Sequence, residues 1–294
     1  CVHGGTGANA IVCYTLCEPG DNIVSILPNY QQYYSIPESL GNEVRIYTCD
    51  EKSDYKIDFT ELAKLVDSHT KMINLASPNN PTGYALDQSE MEQLAELARS
   101  AGAYVVCDEI YRGLSDDYMP SICDVYEKGI CTSSTSKVFS SAGTRVGWIV
   151  TRDLSIKDAM MNMRSYHSIC EGPINELIAA IILENKEIFY KRNTAIVKAA
   201  QDVLKEWLKG QPHFKPAVES KSSTAFLYYD FDIPAADFAQ ELYDKKSTLV
   251  CHGACFEQEH CFRIGFGFGD LAYFKAGLDQ IGEFVKELET EGRI

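Results

Sequence analysis

Short apolar runs alternate with amphipathic stretches along the first half of the chain. Six runs have the length and composition of strands, at residues 22–27, 44–48, 71–76, 103–107, 129–133 and 146–151. The clearest helix is predicted at residues 89–101, where Met91, Leu94, Leu97 and Ala98 recur at helical spacing. This alternation predicts an α/β fold, with a mainly parallel sheet sandwiched by helices.

The pattern changes after about Asp158. Residues 187–208 are typical of one extended helix, which Gly210 and Pro212 end. A smaller α+β unit should follow, with strands at 225–229, 247–251 and 261–267 and a closing helix at 271–289. We therefore predict a large domain at residues 1–198 and a small C-terminal domain at residues 199–294.

Composition narrows the class of protein. With 294 residues, of which 45% are hydrophobic and 23% charged, the chain can bury a sizeable core. A net charge of -15, with no Lys/Arg cluster, disfavours nucleic acids and anionic membranes as partners. No apolar stretch approaches the ~18 residues of a spanning helix. Eleven cysteines, an odd number set mostly in apolar runs, indicate reduced thiols in a cytoplasmic protein.

The most informative residue is Lys137, which ends the hydroxyl-rich run Ser133-Ser134-Thr135-Ser136. Arg145 follows it closely. Hydroxyl and guanidinium groups bind phosphate, and a lysine amine is a nucleophile towards an aldehyde. A lone lysine is usually a solvated surface group, but this setting favours a phosphorylated aldehyde cofactor.

A glycine-rich run, Gly4-Gly5-Thr6-Gly7-Ala8, precedes a predicted helix at residues 9–16. Its backbone N–H groups and the Thr6 hydroxyl suit an anion at a helix N-terminus, although such a run is more often a plain turn. Because a domain rarely begins on its ligand loop, we expect further residues before Cys1.

Polar side chains also follow three of the predicted strands. Asn80 lies in a Pro-Gly turn that leaves its amide free for a ligand. Asp108, three residues before Tyr111, ends an apolar strand, where a carboxylate needs a helix to cap or a ligand cation such as a pyridinium. Tyr30 follows the strand at 22–27 and suits either ring stacking or core packing.

Two features of the C-terminal unit carry possible chemistry. Arg263 lies in an apolar strand, where its guanidinium would pair with a ligand carboxylate or with an internal acid. A second group has the composition of a zinc site, but it includes strand residues that alternate between faces and lacks a paired C-x-x-C knuckle, so we do not favour a metal. Its members are Cys251, His252, Cys255, His260 and Cys261.

Taken together and in this order, the motifs resemble the class I/II aminotransferases, which are fold type I pyridoxal-phosphate-dependent enzymes. The resemblance covers essentially the whole chain. It implies pyridoxal 5'-phosphate as cofactor and transfer of an amino group from an α-amino acid to a 2-oxo acid. Lys137 would form the Schiff base and then shuttle a proton, Asp108 would keep the pyridine nitrogen protonated, and Tyr111 would bind the ring oxygen.

The resemblance also implies the remaining contacts. Asn80 would bind the ring oxygen with Tyr111, and Tyr30 would stack on the ring. Arg263, with Asn80, would bind the substrate carboxylate. The phosphate would be held by Gly5, Thr6, Ser134, Ser136 and Arg145. Homodimers are usual in the family, with small amino and 2-oxo acids as substrates and neither nucleic acid nor membrane as partner.

Some alternatives stay open at this point. The same residues suit β-elimination, replacement or cyclisation on the same cofactor, and an aminotransferase-like effector domain of a transcription regulator is a further possibility. In the family, an N-terminal segment packs into the small domain, and this sequence lacks that segment. His252 replaces a usual proline and is either an altered substrate contact or a loop histidine without a role. Arg112 is an unusual extra charge beside Tyr111.

Overall fold

The computed structural model describes all 294 residues and contains two sheets. The large sheet has seven strands: Val2–His3 (β1), Asn22–Leu27 (β2), Glu43–Thr48 (β3), Thr70–Ala76 (β4), Tyr104–Asp108 (β5), Gly129–Ser134 (β6) and Val146–Thr151 (β7). They lie in the order β1-β7-β6-β5-β4-β2-β3. Strands β3, β2, β4, β5 and β6 are parallel, whereas β7 near one edge pairs antiparallel with both β6 and β1.

Ten α-helices connect and cover the strands. They are Gly4–Leu16 (α1), Gln32–Ser39 (α2), Phe59–Ala63 (α3), Gln88–Ala101 (α4), Ile122–Val125 (α5), Lys157–His167 (α6), Pro173–Glu184 (α7), Lys186–Leu208 (α8), Ala235–Lys246 (α9) and Leu271–Thr290 (α10). Helix α4 shows why such boundaries are sharp: Asp87 and Glu90 form a reciprocal capping box at its first turn. None of the ten is both long and apolar enough to cross a membrane.

The central strands are buried on both faces. All six residues of β2 are buried, which is typical of a parallel strand between two helical layers. Val105 and Val106, neighbours on β5, pack into two different cores, because successive side chains on a strand point to opposite faces. The loops that follow β4, β5 and β6 therefore meet at one edge of the sheet, where ligands bind in folds of this kind.

The small sheet is antiparallel and carries its own aromatic core. Its strands are Phe214–Pro216 (β8), Thr224–Tyr229 (β9), Cys251–His252 (β10) and Cys261–Gly265 (β11), in the order β10-β11-β9-β8. Phe238 of α9 stacks on Phe262 of β11 at 5.5 Å and contacts Phe284 of α10 at the same centroid distance. This packing fixes β11 against α9, which packs in turn on α10.

Most predicted elements are confirmed to within a residue or two, and the predicted α/β fold is confirmed. Two details are wrong. The glycine run is the first turn of α1 rather than a loop before it. The predicted strand at 247–251 is reduced to Cys251–His252, because Ser247 adopts a left-handed conformation (φ 52°) at the end of α9. The predicted domain boundary at 198/199 falls inside α8 and stays a prediction.

Candidate active site

A cavity of about 830 Å³ opens at the carboxyl edge of the parallel strands. Almost all the residues proposed from the sequence line it: Gly5, Thr6, Tyr30, Asn80, Asp108, Tyr111, Ser136, Lys137, Arg145 and Arg263. The exception is Ser134, which is fully buried at the end of β6. Its Oγ accepts a hydrogen bond of 3.2 Å from the Ser136 backbone N–H, so it supports the turn from beneath.

The Asp108 carboxylate is buried, lines the cavity and accepts hydrogen bonds from three donors. Its Oδ2 accepts hydrogen bonds from the Tyr33 hydroxyl at 2.5 Å and from Asn9 Nδ2 at 2.9 Å, and its Oδ1 accepts one from the Ile110 N–H at 2.9 Å. Burial raises the pKa of Asp108, while these three donors and the Lys137 charge oppose that rise. No α-helix begins here, so the helix-cap explanation of Asp108 is wrong.

The Lys137 amine lies in the cavity beside the Tyr111 ring, with 5.8 Å between Nζ and the ring centroid. Although the side chain is open to the cavity, the surrounding protein lowers the pKa of the amine. The positive charges of Arg263 and Arg145 lower it further, and Asp108 opposes them. The amine therefore loses its proton more readily than an exposed lysine, as a nucleophile or a base requires.

An anion cradle forms where α1 begins beside Arg145. Arg145 donates hydrogen bonds from Nη1 to the Ala142 carbonyl at 3.0 Å and to Ser136 Oγ at 3.4 Å. A Cβ atom on Gly4, which has a left-handed φ of +68°, would lie 2.3 Å from Arg145 Nη2. Glycine at position 4 thus leaves the space that the Arg145 guanidinium occupies beside the N-terminal amides of α1. The guanidinium and these amides together provide hydrogen-bond donors that suit a phosphate group.

Besides Arg145, Arg263 provides a cationic group in the same cavity. Its Nη1 donates to Asn80 Oδ1 at 2.7 Å, and its guanidinium carbon lies 5.3 Å from the Phe256 ring centroid. It makes no salt bridge with any acidic residue, so the internal-acid alternative is wrong. Its remaining N–H donors, together with the Asn80 amide donors, suit a carboxylate ligand.

Two tyrosines complete the lining. Tyr111 is buried, and burial raises its pKa to about 12, an effect that Arg263 opposes, so the hydroxyl stays a hydrogen-bond donor at neutral pH. Tyr30 is 42% exposed and meets the Tyr33 ring edge-on at 6.2 Å. The open face of the Tyr30 ring suits stacking on a planar ligand.

Three site residues escaped the sequence reasoning. Asn9 lies one helical turn after Gly5 in α1, and Tyr33 of α2 lies three residues after Tyr30, so spacing from an assigned residue is the signal that could have found both. The Asn9 amide is itself fixed, because its Oδ1 accepts from the Thr132 hydroxyl at 2.6 Å. Arg192 of α8 also lines the cavity, and nothing in its local sequence indicates this.

Two residues noted from the sequence lie away from this cavity. Arg112 donates to the Met119 carbonyl at 2.8 Å and lies 3.7 Å from the buried Glu109 carboxylate, so its charge serves the fold. His252 lines a neighbouring cavity of about 750 Å³ between α9, β10 and α10, which shares Arg263 with the first. No group of three or more His, Cys, Asp or Glu side chains is arranged to hold a metal ion.

The chain matches the model of the family described as aminotransferase class I and II over residues 1–281. It therefore belongs to the class I and II aminotransferases, and the resemblance drawn from the motifs is confirmed. Pyridoxal 5'-phosphate is the cofactor of this family. The cavity fits that cofactor, because it offers a cationic phosphate cradle at Arg145, a buried carboxylate at Asp108 and a reactive amine at Lys137.

Individual relatives agree with this assignment. Nicotianamine aminotransferase 1 from Oryza sativa is 27% identical over 96% of this chain, and the chain spans 60% of that enzyme's length. An aspartate aminotransferase from Sulfurisphaera tokodaii is 26% identical over 92% of this chain and 71% of its own. The crystal structure of a PLP-dependent aminotransferase from Streptococcus suis has a TM-score of 0.94 and 35% identity, covering 97% of this chain and 76% of that one.

Proposed function

We propose that this chain carries the active site of a pyridoxal-phosphate-dependent aminotransferase, which moves an amino group from an α-amino acid to a 2-oxo acid. One observation carries the proposal. A buried carboxylate at Asp108, a readily deprotonated amine at Lys137 and an unpaired guanidinium at Arg263 surround a single cavity. These are an anchor for a ring cation, a base and a carboxylate receptor.

The cofactor, when bound, supplies a conjugated ring that accepts the electron pair released at the substrate Cα. Asp108 would hold the ring nitrogen protonated, since the hydrogen bonds from Tyr33, Asn9 and Ile110 favour its ionised form against the effect of burial on its pKa. Lys137 would be the residue bonded to the cofactor aldehyde and, once displaced by substrate, the base that removes the Cα proton.

The other lining residues would position the two ligands. Arg145, Ser136, Gly5 and Thr6 would bind the cofactor phosphate at the start of α1. Arg263 would bind the α-carboxylate of the substrate. Tyr30 would stack on the cofactor ring, while Tyr111 and the free amide donors of Asn80 would bind the ring oxygen.

The family resemblance implies that Ser134 also binds the phosphate, together with Gly5, Thr6, Ser136 and Arg145. Its burial and its hydrogen bond to the Ser136 N–H support a positioning role instead. With the substrate carboxylate held by Arg263 and the cofactor phosphate held by Arg145, the substrate's Cα–H bond would be confined to a narrow range of directions relative to Lys137, and such orientation contributes strongly to catalysis.

We further propose a homodimer in the cytoplasm. Helix α7 exposes Ile174, Leu177 and Ile181 at 73%, 61% and 51%, and their i, i+3, i+7 spacing puts them on one face. An apolar stripe of this kind is typical of an interface, and a second copy of the chain is the occupant we propose. All eleven cysteines are free thiols, which supports a reducing compartment.

Two substitutions test the function. Lys137→Ala should abolish the visible absorbance of the bound cofactor and reduce turnover by roughly 10²-fold or more, as expected for loss of a general base. Arg263→Ala should raise the KM for the amino donor while cofactor content stays intact. Lys52→Ala, at an exposed lysine without a side-chain contact, is the matched control.

The proposal fails if Lys137→Ala keeps the wild-type spectrum. Loss of cofactor in Arg263→Ala would show that this arginine binds the cofactor rather than the substrate. Release of pyruvate and ammonia from the amino donor, without any 2-oxo acid acceptor, would replace transamination by elimination.

A further inference from the structure

Two cysteines flank the arginine that we assign to the substrate carboxylate. Cys251 of β10 lies directly opposite Arg263 in the antiparallel register of β10 and β11. Cys255 precedes Phe256, whose ring lies beneath the Arg263 guanidinium. The backbone segments that carry these thiols are therefore the same segments that hold the guanidinium in place.

Cys255 contacts a histidine, and both thiols pack against one apolar core. Cys255 Sγ is 3.4 Å from His252 Nε2, close enough for the imidazole to accept the thiol proton. The Cys251 and Cys255 side chains both pack against the apolar core that contains Phe256 and Cys261. Burial raises the pKa of the Cys251 thiol, Arg263 opposes that rise, and the Cys255 thiol adds to it. Both thiols are partly exposed, whereas six of the eleven cysteines are buried.

The turn that joins the two cysteines is pressed against β11. Residues Gly253–Phe256 form a 3-10 helix, and a Cβ atom on Gly253 would lie 2.3 Å from Cys261 Sγ. The turn therefore has little freedom to move independently of β11. A covalent change within the turn will be transmitted to Phe256 and to the strand that bears Arg263.

We infer that Cys251 and Cys255 form a reversible disulfide, which weakens the binding of carboxylate substrates at Arg263. The inference rests on the proposed function only through the role of Arg263. The oxidant is a hydroperoxide such as hydrogen peroxide, and the thiol pair is the reductant. Cys255 reacts first, because His252 is in contact with its thiol, and Cys251 resolves the product.

The chemistry balances in two steps. The Cys255 sulfur attacks one peroxide oxygen, the O–O bond breaks, and the thiol proton passes by way of His252 to the departing hydroxide, giving a sulfenic acid and one water. The Cys251 sulfur then attacks the Cys255 sulfur, the S–O bond breaks, and the Cys251 proton leaves with the hydroxide as a second water. Two thiols lose two electrons and two protons in total, and one peroxide is reduced to two waters.

The consequence for Arg263 follows from disulfide geometry. The two sulfurs must approach to about 2.05 Å, well inside the non-bonded separation of two thiols. This draws the turn towards β10 and shifts Phe256 under the guanidinium, whose other neighbour is Asn80. We expect amino-acid affinity to fall by about tenfold, the equivalent of one charge-assisted hydrogen bond, with cofactor content unchanged.

The test uses the cofactor-loaded protein, first reduced and then treated with hydrogen peroxide. Peptide mapping by mass spectrometry without reduction should reveal a Cys251–Cys255 link that is two hydrogen masses lighter than the dithiol. KM for the amino donor should rise by about tenfold with a smaller change in kcat, and dithiothreitol should restore both the dithiol and the KM.

Single-residue variants identify the sulfurs. Cys251→Ser and Cys255→Ser should each keep the reduced-state KM after peroxide treatment. Cys170→Ser, which removes an exposed cysteine elsewhere in the chain, should respond as the wild type does. A peroxide-dependent rise in KM that persists in Cys255→Ser, or that disappears in Cys170→Ser, would overturn the inference.

The mass measurement separates this inference from the proposed function. If the reduced protein binds amino acid and oxidation either forms no link or leaves KM unchanged, the inference alone fails. If the reduced protein does not bind amino acids at all, the assignment of Arg263 fails first, and the effect on affinity fails with it.

Discussion

Replacing Tyr33 with phenylalanine isolates the hydrogen bond that anchors Asp108. Both side chains are buried, and the substitution removes one hydroxyl while the ring keeps its packing. The bond, 2.5 Å from the Tyr33 hydroxyl to Asp108 Oδ2, joins a neutral donor to a carboxylate. Net contributions of hydrogen bonds to charged groups are roughly 1.5–3 kcal/mol, so the free energy of unfolding at pH 7 should fall by about that amount.

The loss should depend on pH in a defined direction. The Tyr33 hydroxyl lowers the pKa of Asp108 against the raising effect of burial, so its removal raises that pKa further. The bond stabilises the ionised carboxylate most, and this contribution is present at a pH above the folded-state pKa of Asp108. As the pH falls through that pKa, the carboxylate is protonated in both proteins, and the difference in stability should shrink.

Urea unfolding of the cofactor-free proteins, repeated at decreasing pH from 7, measures both effects. Tyr30→Phe is the matched control, because Tyr30 is 42% exposed and its hydroxyl has no protein partner, so its change should stay within about 0.5 kcal/mol. A Tyr33→Phe loss no larger than that of Tyr30→Phe would refute the role of the bond. So would a loss that stays constant as Asp108 is protonated.

Three further outcomes are expected. Arg263→Ala should raise the pKa of Lys137 in the cofactor-free protein, because the substitution removes a positive charge that lowers this pKa. Amine-specific labelling of Lys137 at fixed pH should therefore slow, and an unchanged labelling rate would contradict the prediction. Gly4→Ala should weaken cofactor binding by about tenfold, because the added Cβ displaces Arg145. Gly20→Ala is the control: its backbone is strained as well (φ +96°), but its Cβ would meet no neighbouring atom, so cofactor binding should not change. Equal effects of the two variants would point to backbone strain alone. Leu177→Glu with Ile181→Glu should give a monomer by light scattering, and a persisting dimer would place the interface elsewhere; Leu154→Glu, at another exposed leucine, is the control.

The strands of the large sheet were predictable because their signal is local. A parallel strand covered on both faces is a short, nearly continuous apolar run, and the prediction for β2 at 22–27 agrees with the structure residue for residue. The strand predicted at 247–251 failed for the converse reason. Its apolar residues cover the end of α9 and the neighbouring cavity, and only Cys251 and His252 have a partner strand to pair with.

The candidate site divides in the same way. Lys137 and Asp108 were recognisable because each polar residue directly follows an apolar strand, and parallel strands bring their carboxyl ends to one edge. The sequence by itself determined that these groups would meet in one region. It also determined the family, through the order of the motifs along the chain.

The tertiary structure alone decided which atoms meet. Arg263 on β11 and Asn80 in the turn that follows β4 are 183 residues apart, yet they share a hydrogen bond of 2.7 Å. Asn9 and Tyr33 come from two helices whose rotation aims both side chains at Asp108. Such contacts depend on strand order and on helix packing, which arise from the whole hydrophobic core, and no local pattern of residues encodes them.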